Sequence, residues 1–256
     1  MTKKSVFAML AGACALLFAP AAQAMTYRAE YDASVLAVSI GRVTLEAASA
    51  NGRYSSTATV RTAGVAAIFD QTNITASASG LVTQRGVAWS GYNLSHSYAR
   101  KFRRVTMRRA GGGVQTTINP RFGDMGNPPV TAAEQAGAYD PVSAIFVLGR
   151  IVGQTRACAA NVRVFDGRQH YRLALSARGT GTYDGGGYRG PALICNMRYQ
   201  PISGFDMSPA ERARIPLAQI WFSRPNGPGF GVPLRVTVPT PVGAAQLDLR
   251  ALRFTP

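Results

Sequence analysis

Few side chains in this sequence could do chemistry. It carries 2 histidines, 12 carboxylates and 3 cysteines among 28 lysines and arginines. His96 stands in Asn-Leu-Ser-His-Ser-Tyr. In a strand Ser95 and Ser97 point to the opposite face, so they cannot easily serve it as partners. His170 follows Asp166 across a turn, and both histidines read as structural. A hydrolase would need a pair of carboxylates, one as acid and one as base. Asp140 and Asp166 are the candidates, yet Asp140 precedes Pro141 and is fully explained as a helix cap. The sequence holds no H-E-x-x-H, P-loop, G-x-S-x-G or zinc-spaced cysteine cluster. No catalytic residue, metal or cofactor is therefore assigned.

The cysteines speak to compartment. Residues 1–24 have two lysines, an apolar run from Val6 to Ala19, and Ala22-Gln23-Ala24. That is the pattern of a secretory signal peptide cleaved after Ala24. The apolar run is too short to span a bilayer. A lipoprotein starting at Cys14 competes, less well than the A-x-A site. Cleavage leaves Cys158 and Cys195 as the only cysteines, expected to pair in an oxidising compartment such as the periplasm. Two buried free thiols are the alternative. The remainder, residues 25–256, reads as a single β-rich domain without an evident linker.

The net charge of +16 loses only Lys3 and Lys4 to cleavage. Such a surface favours anionic neighbours, lipid head groups or lipopolysaccharide phosphates; nucleic acid does not suit an exported chain. The densest run, Arg-Lys-Phe-Arg-Arg-Val-Thr-Met-Arg-Arg, puts Arg100, Arg104 and Arg108 on one strand face and Lys101, Arg103 and Arg109 on the other. It is either a charge-guarded edge strand or an anion site.

The elements that must position these groups are mostly strands. Asn51-Gly52 and Asp166-Gly167 mark hairpins, and Gly111 to Gly113 turns another. Segments from Thr72 to Tyr98 alternate, broken by Gly80, Gly86 and Gly91. Ser208 and Glu211 form a capping box for a short helix. The stretch Ala-Tyr-Asp-Pro-Val-Ser-Ala-Ile-Phe-Val-Leu-Gly-Arg-Ile-Val-Gly predicts one long helix, with Asp140 as cap. Its apolar stripe runs through Val142, Ile145, Phe146 and Gly149, widened by Leu148 and Val152.

The order of segments resembles a family of bacterial envelope proteins known as domain of unknown function 3108. The likeness rests on Tyr-Asp-Ala-Ser-Val-Leu-Ala-Val-Ser-Ile-Gly near the start, Tyr-Asp-Pro-Val-Ser-Ala-Ile-Phe, Phe-Asp-Gly-Arg-Gln-His-Tyr-Arg-Leu, and the closing segment from Ile220 to Leu249. It implies a mainly β fold: a curved or spiral antiparallel sheet of about a dozen strands, half-barrel-like, with one main helix in or across the concavity. Such a sheet is similar to the half-barrels of periplasmic lipoprotein carriers, and the family has no established enzymatic activity. The expected function is that of a non-enzymatic, monomeric periplasmic cell-envelope protein, at most peripheral to the membrane. It would bind a lipid, lipopolysaccharide or a lipidated protein on the concave face, through Ile145, Phe146 and Leu148 with Arg104 and Arg108, if the helix lines a groove; on the other reading the same helix simply fills the trough as core. The alternatives are a structural adaptor acting through protein partners and an envelope hydrolase using carboxylates.

Overall fold

Asn51 and Gly52 both take left-handed backbone angles (φ 51° and 70°), the conformation a two-residue hairpin turn requires. This turn joins β2 (Val38–Ala50) to β3 (Arg53–Thr62), and most of the chain repeats the device. The structure, a computed structural model, describes residues 24–63, 71–98, 101–224 and 229–255. The expected signal peptide and Arg100 lie outside these residues, Ala24 excepted.

Before β2 comes β1 (Met25–Val35). After β3 follow β4 (Asn73–Thr83), β5 (Gly86–Tyr98), β6 (Lys101–Ala110) and β7 (Gly113–Asn119). Gly80 and Gly91 do not break strands, as the sequence suggested; they sit inside β4 and β5, where the register shifts beside Gly80. A connection then carries α1 (Ala132–Ala136), α2 (Pro141–Thr155) and β8 (Ala160–Phe165). The Pro- and Gly-rich composition around α1 predicts a loop, yet Thr131 and Glu134 form a complete capping box that starts a short helix there. The longest hairpin, β9 (His170–Gly185) with β10 (Tyr188–Ser203), turns at Gly186 and Gly187. The helix α3 (Pro209–Ala213) has the expected Ser208–Glu211 box. The chain closes with β11 (Ala218–Ser223), β12 (Pro233–Thr240) and β13 (Gly243–Thr255).

All strands form one antiparallel sheet in the order β7-β6-β5-β4-β3-β2-β1-β13-β12-β11-β10-β9-β8. The order follows the chain except at one place: β1 pairs with β13, first strand with last. The edges β7 and β8 are not bonded to each other, yet the sheet curls until they nearly meet. Gly167, in the β8–β9 loop, lies against Val105 of β6 and Thr116 of β7. The seam is filled by the connection ahead of α2. There Tyr139 pairs with β8 through Tyr139 N–H to Arg163 O (2.9 Å) and Phe165 N–H to Tyr139 O (2.8 Å). From the other side, Trp89 Nε1 donates to Ala138 O (2.8 Å), and Arg109 donates to Ala136 O (2.9 Å) and Ala138 O (3.1 Å). The edge strand β8 on one side and β5 and β6 on the other are thus tied to one short segment, which shields β8 from pairing with other chains.

The helix α2 runs through the concavity, touching β3, β4 and β5 on one wall and β8 and β11 on the other. One apolar stripe was expected; instead Val142, Ala144, Phe146, Val147, Leu148, Gly149, Val152 and Gly153 are all buried, as befits a helix enclosed on several sides. Gly149 and Gly153 make this closeness feasible. A Cβ on Gly149 would lie 2.4 Å from the Phe230 ring, and one on Gly153 2.3 Å from Gly229 O. The bare helix surface lets Gly231 N–H donate to Gly149 O (2.8 Å).

Candidate functional site

Asp140 caps α2 with no exposure at all. One carboxylate oxygen accepts from the amides of Val142 (3.0 Å) and Ser143 (2.8 Å), and the other from the Ser143 hydroxyl. Tyr54 of β3 hydrogen-bonds the same hydroxyl at 2.6 Å and stacks its ring on Phe146 at 4.6 Å between centroids. Burial raises the Asp140 carboxyl to about 6 against these hydrogen bonds. The network fixes the helix start against the β3 wall. Asp166 behaves alike: its carboxylate accepts from the amides of Arg168 (2.9 Å) and Gln169 (2.7 Å), and burial pushes its pKa up. The β8–β9 connection is therefore a four-residue loop organised by an Asp side chain, not the two-residue Asp-Gly turn the sequence suggested. The two carboxylates read as hydrolytic candidates are both committed to backbone amides.

The proposed ligand residues are not brought together. Phe146 and Leu148 are buried in the core, and Ile145 is half-buried against it. Arg104 and Arg108 lie on the outer face of β6, where they pair across β5 with Ser95 and Gly91. Strand alternation decides this: Val105 and Met107 point inward, so their neighbours cannot. Arg103 and Arg109, from the other set, are the basic residues that reach inside, Arg109 onto the α2 connection and over the Trp89 ring.

Cys158 and Cys195 form a disulfide with Cα atoms 5.4 Å apart. It fastens the exit of α2 to β10, inside a cluster of aliphatic side chains. His170 is buried and packs its Nδ1 3.4 Å from Glu134, with Ser203 opposite it across β9–β10. Among the described residues no group of three or more His, Cys, Asp or Glu side chains could hold a metal ion.

Open space lies elsewhere. A cavity of about 340 Å³ sits in the mouth of the barrel, lined by Leu94, His96, Tyr98, Val105, Phe122 and Arg103, among others. The floor comes from inward-facing β5 and β6 side chains beyond the reach of α2, and the far wall from Asp166, Arg168 and Gln169 of the β8–β9 loop. The Arg103 guanidinium covers the Phe122 ring at 3.7 Å, and its Nε has no hydrogen-bond partner among the described residues. Arg168 is held by Asp206 (2.8 Å) and Asp124 (3.6 Å). Rings and aliphatic carbons beside two guanidinium groups form an amphipathic pocket at the small end of the ligand-site range. The sequence showed His96, Tyr98 and Arg103 but not their meeting with Phe122 and the β8–β9 loop, which depends on the curl of the sheet. Two further hollows lie over β1 to β3: one of about 470 Å³ on the outer face, floored by Thr44, Thr57 and Thr59, and one of about 370 Å³ at the far end of these strands, lined by Tyr27, Ala47 and Thr57 among others. Their charged walls are largely self-paired, as in Arg28 with Glu30 and Glu46.

No curated protein matches the chain. Among solved structures, it is similar to a beta-barrel-like protein of domain of unknown function DUF1849 from Brucella abortus. The TM-score is 0.56 at 10% identity, over 91% of this chain and 98% of that one. At that identity the likeness is one of fold, and it agrees with the curled, nearly closed sheet. Residues 26–250, almost the entire folded sheet, match the family described as protein of unknown function DUF3108, and the chain belongs to that family.

Proposed function

We propose that this is a non-enzymatic, exported protein of the cell envelope that binds the apolar part of an anionic lipid or lipidated ligand in the mouth of its barrel. The mouth cavity carries the reading: about 340 Å³ walled by Leu94, Tyr98, Val105 and Phe122, with Arg103 and Arg168 beside them. The site shifts from the one expected on α2, because Phe146 and Leu148 are spent on packing. Carboxylates engaged as caps and turn anchors support binding rather than hydrolysis. The signal peptide and paired cysteines fit the periplasm.

The test is displacement of a fluorescent fatty acid from the purified, oxidised protein, together with native mass spectrometry of protein recovered from cells. Wild type should retain an acyl ligand, and Leu94→Trp, which fills the cavity, should release it while the melting temperature holds. Protein that carries no acyl ligand and displaces no probe would sink the reading. The filled interior around α2 favours a second reading, a rigid adaptor working through protein partners, and that same result would leave it standing.

A further inference from the structure

Hairpins alternate between the two ends of the barrel. The β1–β2, β5–β6, β8–β9, β10–β11 and β12–β13 connections share one end, by the antiparallel order of the sheet. Nine large apolar side chains are exposed among the described residues. Leu36, Val38, Ile40, Phe102, Met125, Leu217 and Val242 belong to this end; Leu81 and Phe254 belong to the other. The most exposed, Leu36 at 60% and Val242 at 67%, stand on adjacent hairpin tips, where the Leu36 side chain meets Gly243. Scattered exposed aliphatics are ordinary, but their collection on one rim is not.

Charge completes the pattern. Between Arg53 and Asn119 the sequence has nine basic residues and a single acidic one, Asp70; of these Arg61, Lys101, Arg103 and Arg104 lie toward this rim, whereas Arg53, Arg85, Arg108 and Arg109 lie toward the other end. Near the apolar rim Asp32 is shared by Arg42 (3.8 Å) and Arg250 (3.4 Å), while Arg168 occupies Asp124 and Asp206. Arg61 and Lys101 form no ion pair among the described residues and stand within reach of the same rim. Aliphatic tips on β1–β2 and β12–β13, on the same rim as Arg61 of the adjacent β3 and Lys101 of β6, suit the boundary between acyl chains and anionic head groups.

We propose that this rim docks on an anionic phospholipid surface, with Leu36, Val38 and Val242 entering the acyl boundary and Arg61 and Lys101 meeting the phosphates. The inference does not rest on the mouth cavity, although that cavity lies at the same end. The test is co-sedimentation of the full-length exported protein with vesicles of phosphatidylethanolamine and phosphatidylglycerol, and with phosphatidylcholine vesicles. Wild type should bind the anionic vesicles, more weakly as salt rises, and the neutral ones poorly. Leu36→Asp with Val242→Asp should reduce binding by about tenfold or more, the weight of one buried aliphatic side chain. Leu81→Asp, at the opposite end, should bind as wild type. All three proteins should melt alike, since these side chains are already in water. Leu94→Trp should leave docking intact, which separates this surface from the cavity. Unchanged binding by the double variant, or no preference for anionic vesicles, overturns the proposal. So does a tip substitution whose effect is to turn a dimer into a monomer in sedimentation velocity.

Discussion

The two walls that enclose α2 are built differently. The β3–β6 wall presents Tyr54, Ala76, Ala78, Trp89, Tyr92 and Met107, rings set among alanines. The β8–β11 wall presents Val162, Val164, Leu175, Leu193, Ile220 and Phe222, mostly aliphatic, with the disulfide among them. The helix has a side for each, Val142 and Phe146 for the first wall and Ala144, Val147, Leu148 and Val152 for the second. Branched side chains interdigitate along a helix and leave few gaps. Flat rings packed beside alanines fill space unevenly, and the mouth cavity lies along the aromatic wall. The disulfide and the Tyr139 pairing brace the aliphatic wall, whereas a short polar network and the Arg109 contacts hold the other.

The sharpest way to break this comparison is at Phe146, whose ring stacks on Tyr54 and lies 5.3 Å from Phe230. Phe146→Ala should cost about 3–5 kcal/mol in denaturant unfolding, the loss for a buried ring whose site cannot collapse. Leu148→Ala probes the aliphatic side and should cost about 2–5 kcal/mol. A Phe146→Ala loss below about 1 kcal/mol would mean that the aromatic wall is not packed against the helix.

Next in size is the brace. Removing the disulfide by Cys158→Ser should cost about 2–4 kcal/mol, since the bond closes a loop between residues 37 apart. Thiol labelling of unfolded, unreduced protein should find neither Cys158 nor Cys195 free; labels on both would contradict the pairing.

Much of this architecture was legible. The Asp140–Pro141 start and the apolar periodicity located α2, because a cap and a period are local signals. Asn51-Gly52 located the β2–β3 hairpin for the same reason. The pairing of β1 with β13 has no turn to announce it and is settled only when the whole sheet forms. Gly149 and Gly153 form a readable small-residue pair, but nothing nearby names the Phe230–Gly231 backbone that lies on them. The sequence does not tell which arginines of β6 face inward, because the two faces of a basic strand look alike until a core selects one.

A subtler probe uses pH. The Asp140 carboxyl has an ordinary value of 3.8 and is raised by burial to about 6 in the fold. A raised acid binds its proton more tightly in the native state than in the unfolded chain. Its contribution is therefore fully present below about pH 4 and lost as pH rises through about 6, by up to a few kcal/mol. Asp140→Asn carries no such proton, so the difference in stability between wild type and variant should fall across that window and flatten above it. The cap alone is worth about 1 kcal/mol, read from Asp140→Ala. A difference that rises through the window would show that the amides and Ser143 outweigh burial.

The smallest effect belongs to the outer face of the aromatic wall. Arg104 and Arg108 form no ion pair among the described residues, and Arg108 reaches only the carbonyls of Met107 (3.2 Å) and Tyr92 (3.5 Å). Reversing their charge with Arg104→Glu and Arg108→Glu should change stability by no more than about 0.5 kcal/mol. The new carboxylates would sit among cations, which offsets the loss of any weak hydrogen bond. Binding of an acyl probe in the mouth should be unchanged, because the two side chains lie across the sheet from it. Binding to anionic vesicles should weaken modestly at low salt and converge with wild type as salt rises, since these charges act at a distance from the rim. A collapse of acyl binding in the double variant would restore these arginines to the ligand site and remove the distinction between the inner and outer faces of β6.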